Sequence, residues 1–318
     1  MKRLAAIDVG TNTALLLIAE CASDHALRPL YQQEEIVRLG EGVDARKRIQ
    51  PAALTRLATA LQRYHGIIER YRVERTVISG TSAVRDAENR EEVAELVRQV
   101  LGVRLRVLSG REEAVLTYRG ALSNKSHLRG RMALVDIGGG STEVVFGTFT
   151  DVLRATSLDI GSVRLTERFI RHDPVTAAEE ARLLQAVRAH LQKALPQPDP
   201  VDHFVGVAGT VTTLAAMQQK LVPYDPEKVD GAVLTVEQVQ ELARELKRRP
   251  VRERAELPGL RPERADVIYA GALILLEIMR HYGQERVVVS DRGLRYGLLL
   301  ESVSRGKGTN STEASSLD

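Results

Sequence analysis

The sequence predicts an α/β protein of two lobes, each a βββαβα unit, facing one another across a cleft. Short apolar runs ending at glycines alternate with stretches of helical periodicity along the chain. The pattern that opens at Asp8-Val9-Gly10-Thr11 starts again at Asp136-Ile137-Gly138, with hydroxyls close behind in both copies. That is a long-period duplication, not a short solenoid repeat. The chain has 318 residues, 43% hydrophobic and 27% charged, which suffices for two ordinary cores and is unlike a disordered chain.

The elements follow in order. Leu4–Val9, Ala14–Ala19 and the more alternating Leu27–Leu39 read as an antiparallel meander. Pro51 opens a helix in which Leu54, Leu57, Leu61, Tyr64 and Ile68 recur at helical spacing. Thr76–Ser79 is a short buried strand, Glu91–Leu101 a helix, Val103–Leu108 a strand and Glu112–Leu122 a helix. The second copy gives strands at Met132–Ile137, Glu143–Phe149 and Val152–Asp159, then helical patterns covering Ala177–Leu195. Phe204–Val207 is a strand running into Gly209, Thr210 and a helix. Pro262 precedes an apolar helix at Ala265–His281, Val287–Ser290 is the last strand and Leu294–Val303 the last helix. From Ser304 the chain is polar and small, a disordered tail by composition.

Composition narrows the function classes. The net charge of +3 suits an anionic partner without demanding one. Aromatic residues make up 4% with no Trp, little material for stacking bases, so no nucleic-acid partner is expected. The single cysteine, Cys21, excludes an intrachain disulfide and a cysteine-rich zinc site and reads as a small buried hydrophobe. No segment reaches the length of a membrane span, and Asp8 breaks the first apolar run too early for a signal peptide. A cytoplasmic location without a membrane partner is the expectation.

Five loops carry candidate chemistry. In Gly10-Thr11-Asn12-Thr13, glycine permits close backbone approach, successive N–H groups can form an anion nest, and the side chains add donors. A plain hairpin turn explains the same residues. In Asp136-Ile137-Gly138-Gly139-Gly140-Ser141-Thr142-Glu143, three glycines are more than a structural turn needs, and they let backbone wrap phosphate oxygens. A hairpin there brings Asp136 and Glu143 together, where two carboxylates can hold a hard cation such as Mg²⁺. Alternatively, the pair are solvated acids flanking a loose hairpin.

Val207-Ala208-Gly209-Thr210 joins a strand to a helix whose N-terminus can bind an anion or simply be capped by threonine. Gly80-Thr81-Ser82-Ala83-Val84-Arg85-Asp86 offers Arg85 as a fork for phosphate, or as a surface ion pair with Asp86 or Glu88. In Ser109-Gly110-Arg111-Glu112-Glu113, Ser109 and Glu112 fit a capping box, and one of the paired glutamates is available as a general base. There is no P-loop: Gly306-Lys307-Gly308 lacks its spacing. The lone His172-Asp173 pair is no metal site.

Taken together and in this order, these loops resemble the exopolyphosphatase / guanosine pentaphosphate phosphohydrolase (Ppx/GppA) family of the actin-like superfamily, in its short two-domain form. Ala6–Ala87 supplies two of the matching motifs, and Ser109–Ala114, Asp136–Glu143, Val207–Thr210 and Val289–Gly297 supply the rest. The resemblance implies two duplicated actin-like (ribonuclease H-like) domains with mixed five-stranded sheets flanked by helices. It divides the chain into domain I, residues 1–124 plus 298–318, and domain II, residues 125–297.

The resemblance also implies hydrolysis of terminal phosphates from inorganic polyphosphate. Glu113 would be the base that activates water, Arg85 would grip the phosphate chain, and Asp136 and Glu143 would position the metal and the water, with Asp8 nearby as a further metal ligand. The turns Gly10–Thr13 and Gly138–Thr142, with Gly209 and Thr210, would hold phosphates. Mg²⁺ is the implied cation, with Mn²⁺ as a substitute and K⁺ as a stimulant. A homodimer and inhibition by guanosine tetra- or pentaphosphate are further expectations. Thr11 and Thr13 stand where many relatives have serines, which keeps the hydroxyls. Longer relatives carry additional C-terminal helical domains, so limited processivity on long chains is expected.

The alternative within this resemblance is a guanosine pentaphosphate (pppGpp) 5′-phosphohydrolase using the same site. More remote readings are an actin-like sugar or acid kinase, a chaperone-type ATPase, and a non-catalytic alarmone sensor.

Overall fold

The computed structural model of the chain describes residues 2–22, 26–195 and 200–305. The tripeptide Gly306-Lys307-Gly308 and most of the polar tail lie outside the described residues. The first half contributes strands β1 (Lys2–Val9), β2 (Thr13–Cys21), β3 (Leu27–Ile36), β4 (Arg75–Gly80) and β5 (Leu105–Val107). Its helices are α1 (Val43–Arg46), α2 (Pro51–Arg70), α3 (Ser82–Asp86), α4 (Arg90–Leu101) and α5 (Gly110–Leu122). The second half contributes β6 (Met132–Ile137), β7 (Thr142–Gly147), β8 (Val152–Leu158), β9 (His203–Val207), β10 (Val233–Thr235) and β11 (Arg286–Val289). Its helices are α6 (Ser162–Phe169), α7 (Ala177–Ala194), α8 (Ala208–Gln218), α9 (Pro226–Val229), α10 (Val236–Arg248), α11 (Val251–Arg254), α12 (Ile268–His281) and α13 (Leu294–Arg305).

The duplication is a duplication of topology. The first sheet runs β3-β2-β1-β4-β5 and the second β10-β11-β9-β6-β7-β8, so β8-β7-β6-β9-β11 repeats the first order. Orientation repeats too. Each copy opens with an antiparallel meander of three strands and continues with two strands parallel to its first. The second sheet has six strands, not the expected five, because β10 pairs antiparallel with β11. Val233-Leu234-Thr235 is too short to show a period, and buried Leu234 carries its packing.

Several boundaries move for local reasons. The strand expected over Leu27–Leu39 stops at Ile36, because the Val37 and Arg38 N–H groups turn to donate to the Asn12 carbonyl at 3.0 and 2.9 Å. The strand expected to reach Phe149 stops at Gly147, where Thr148 N–H bonds Asp151 C=O at 2.8 Å. The apolar helix begins at Ile268, after a 3₁₀ turn at Pro262–Arg264. Ser304, expected in the tail, belongs to α13. Cys21 is buried at the end of β2.

Two helices cross between the lobes. Ala114, Tyr118, Ala121 and Leu122 of α5 pack with Met132, Leu134 and Val145 of the second sheet. Leu294, Tyr296, Leu298 and Leu299 of α13 pack with Leu4, Ala6, Leu17 and Ala19 of the first. The two helices touch where both are glycine. A Cβ on Gly120 would lie 2.1 Å from Gly293 O, and one on Gly297 2.0 Å from Leu116 O. Among the described residues no helix is long and apolar enough to cross a membrane.

Candidate active site

The two glycine turns are built alike. Val9 pairs with Ala14 and Ile137 with Thr142, so each turn spans four residues. Gly10 N–H donates to Thr13 C=O at 2.8 Å, and Gly138 N–H to Ser141 C=O at 3.0 Å. The turns also meet. A Cβ on Gly140 would lie 2.4 Å from Ser82 Oγ and 2.7 Å from Thr11 Oγ1, and one on Gly139 would lie 3.0 Å from Thr11 Cβ. Glycine is therefore required here by the approach of the first lobe's side chains, a reason the sequence reading did not supply.

The turns open onto a cleft of about 830 Å³. Gly10, Thr11, Asn12, Thr13, Gly138, Gly139, Gly140, Ser141, Gly209 and Thr210 line it, with Asp8, Glu113 and Asp136. Thr142 does not: it is fully buried, and its hydroxyl donates to Ile160 C=O at 2.7 Å. The Asn12 side-chain amide has its nitrogen buried without a partner, a donor suited to an anion. At the third loop, Ala208 adopts φ +66°, a conformation costly for a residue with a Cβ. It aims the N-terminus of α8, with its free N–H groups, at the cleft.

Four acids converge here, two of them from equivalent places in the two copies. Asp8 and Asp136 stand one residue before the ends of β1 and β6. Asp136 lies opposite Glu143, whereas Asp8 lies opposite Leu15, so the copies differ in one carboxylate. Burial, and then the charge of Asp136, push the Asp8 carboxyl up to about 7, against the pull of Arg295. Burial raises Asp136 to about 6, with Thr117 opposing. Burial and the charge of Asp136 raise Glu143 to about 8, although Ser157 Oγ donates to it at 2.7 Å.

Glu113 is also buried. Its carboxyl is pushed well above the usual range by burial and by Glu143, and partly held down by Arg85. Ser109 and Glu112 form the expected capping box, which leaves Glu113 free to face the cleft.

Arg85 is half-buried and is not among the residues that line the cleft. Its Nη1 donates to Leu108 C=O at 2.9 Å and to Glu113 Oε2 at 3.0 Å. It pairs with neither of its sequence neighbours, Asp86 or Glu88, and Asp86 is taken by Arg164. Glu143, 1% exposed, sits beneath the surface.

The residues present fit a divalent cation shared with phosphate. Asp8 Oδ1 is buried with no hydrogen-bond partner, and Asp8 and Asp136 repel one another at the cleft floor. Both are hard oxygen donors. Among the described residues no group of three or more His, Cys, Asp or Glu forms a ready cage. Mg²⁺ is usually held by one or two carboxylates plus phosphate oxygens and water, a ligand number that Asp8 and Asp136 can supply.

Sequence reasoning missed the basic wall opposite the turns. Arg261, Arg264 and Arg295 line the cleft with Glu34 and Tyr224. Arg264 Nη2 donates to Glu34 Oε1 at 2.5 Å, and its guanidinium covers Gly209, where a Cβ would lie 1.9 Å from Nη1. Burial pushes Glu34 up, but Arg264 and Arg261 outweigh it and hold the carboxyl below its ordinary value. Arg295 lies in the Val289–Gly297 motif, to which the sequence reading gave no cleft role, and Arg261-Pro262-Glu263-Arg264 reads as punctuation before a helix. Arg261 and Arg264 reach the site by folding, not by a loop motif.

Comparison with known proteins identifies the family. Exopolyphosphatase 2 of Mycobacterium tuberculosis is 37% identical over 315 residues, covering 94% of this chain and 98% of that protein. The guanosine-5′-triphosphate,3′-diphosphate pyrophosphatase of Vibrio cholerae is 29% identical over 94% of this chain and 59% of its own. The crystal structure of the Aquifex aeolicus Ppx/GppA family member superposes with a TM-score of 0.81 at 36% identity, covering 96% of this chain and 98% of that one. Residues 17–306 match the Ppx/GppA phosphatase family, and the chain belongs to that family.

Proposed function

We propose that the chain is an exopolyphosphatase, releasing terminal phosphates from inorganic polyphosphate by attack of water. The observation that carries this reading is the meeting of the two duplicated glycine turns beside a buried Glu113. Phosphate hydrolysis needs positioning and charge neutralisation more than covalent help. The turns and the α8 N-terminus supply N–H donors for the terminal phosphates, and the arginine wall suits the phosphates behind them.

Glu113 takes the proton from water as its oxygen bonds to phosphorus, and the bond to the next phosphate breaks. A carboxyl raised by burial is a stronger base than an exposed one, and Arg85 fixes its direction. Asp8 and Asp136, with Glu143 beneath, would hold Mg²⁺, which when bound neutralises charge on the phosphate oxygens. Cytoplasmic location, a homodimer and inhibition by guanosine tetra- or pentaphosphate belong to the same proposal.

The second reading is hydrolysis of pppGpp at the same site, favoured by the Vibrio cholerae relative's name and by a cleft larger than a terminal phosphate requires. The test is phosphate release from polyphosphates of defined length beside pppGpp, with and without Mg²⁺. Release from polyphosphate that is lost with EDTA and restored by Mg²⁺ supports the proposal. Release from pppGpp alone favours the second reading, and release from neither sinks both.

A further inference from the structure

Arg164, on α6, is 7% exposed and has partners on both lobes. Its Nε donates to the Gly140 carbonyl at 2.6 Å. Its Nη2 reaches Asp86 Oδ2 at 2.5 Å and Ser82 Oγ at 3.3 Å, and its Nη1 bonds the Asp44 carboxylate. Asp44 is held in place by Arg168 Nη2 at 2.7 Å. Ser82 and Asp86 are the first and last residues of α3, the helix that carries Arg85. One guanidinium therefore ties the second glycine turn to the element that grips Glu113.

The same contacts orient the turn. The Ser162 N–H donates to Gly138 C=O at 2.9 Å, and the Val163 and Arg164 N–H groups donate to Gly139 C=O at 2.9 and 3.0 Å. With Arg164 Nε on Gly140, three successive carbonyls point toward α6. In a planar trans peptide the next N–H points the opposite way. The carbonyl of Gly140, drawn to Arg164, turns the Ser141 N–H away from α6.

We propose that Arg164 is a positioning residue for phosphate hydrolysis: it fixes the peptide orientation of the Gly138–Ser141 turn and locks that turn to α3. The proposal rests on the hydrolytic reading of the site. Arg164 touches no reacting atom and acts through Gly140, Asp86 and Asp44. A guanidinium supplies several donors in a fixed fork, and lysine cannot replace it at such a site.

The test uses the full chain and the variants Arg164→Ala, Arg164→Lys and Asp86→Asn. Steady-state phosphate release is measured on a short polyphosphate, and hydrogen exchange is measured without substrate. Arg164→Ala is expected to lower kcat about tenfold or more, with a smaller change in KM, and Arg164→Lys to restore only part of it. Exchange should rise together in Gly138–Ser141 and Ser82–Asp86. The double variant Arg164→Ala/Asp86→Asn should lose no more than Arg164→Ala alone.

A folded Arg164→Ala with kcat within about twofold of the parent overturns the proposal, as do losses that multiply in the double variant. If Arg164→Ala does not fold, Asp86→Asn and Asp44→Asn carry the same expectations for kcat and exchange. A parent inactive on polyphosphate defeats the functional reading, while the exchange coupling still decides whether Arg164 orients the turn.

Discussion

Glu113 holds its carboxyl 3.0 Å from Arg85 Nη1, in a wall where burial disfavours its charge. Replacing it by glutamine keeps the shape and removes the proton acceptor. Glu113→Gln is expected to lower kcat by about 10²–10⁴ with little change in KM, because a base acts at the chemical step. Equal losses in kcat and affinity, measured by steady-state phosphate release, would count against that role.

The acids also set a pH dependence. Asp8, Asp136 and Glu143 stand at about 7, 6 and 8 in the folded protein, against about 4 for unfolded carboxyls. The folded state then binds protons more tightly than the unfolded chain. Their contribution to stability is fully present below about pH 4 and is lost as pH rises through about 6 to 8. Groups held low, such as Glu112 at about 2, act in the opposite direction at more acid pH, so the two windows separate. Without ligand, Tm should fall between pH 5 and 9, and Glu143→Gln should make that fall shallower. Mg²⁺ should raise Tm more at the alkaline end. Parallel slopes for parent and variant in thermal melts would refute the assignment.

At the scale of elements, much of the site was legible because a motif lies on one loop. The hydrogen bonds that close Gly10–Thr13 and Gly138–Ser141 follow from short strands flanking a glycine. The capping box at Ser109 follows from a serine three residues before a glutamate. What stayed hidden was contact between distant segments. Arg85 was read as a phosphate fork or a surface ion pair, yet its partners are Leu108 and Glu113. Arg164 and Arg264 lie in no phosphate loop.

The crossing of α5 and α13 is of the same kind. Gly120 and Gly297 each have backbone where a Cβ would sit, at 2.1 and 2.0 Å. Backbone cannot yield as a flexible side chain can, so Gly120→Ala should destabilise the protein by roughly 1–3 kcal/mol. A denaturant midpoint unchanged by Gly120→Ala would contradict this packing.

Over the whole molecule, the two cores are not independent. The sheet of the second half is completed by α5 from the first, and the sheet of the first half by α13 from the end of the chain. Unfolding either half strips a helix from the other. A single calorimetric transition is therefore expected, with van't Hoff and calorimetric enthalpies in agreement. Two resolved transitions would show that the crossing helices do not couple the lobes.

The sequence by itself determined the duplication, the strand order within each meander and the phosphate-turn motifs. These depend on local periodicity and on glycine's backbone freedom, which act over a few residues. Only the tertiary structure decided that Gly139 and Gly140 receive Thr11 and Ser82, that Arg85 faces Glu113, and that arginines line the cleft. Those outcomes depend on which surfaces meet when two sheets and their crossing helices bury apolar area. That meeting is a property of the packed whole and leaves no short-range pattern in the chain.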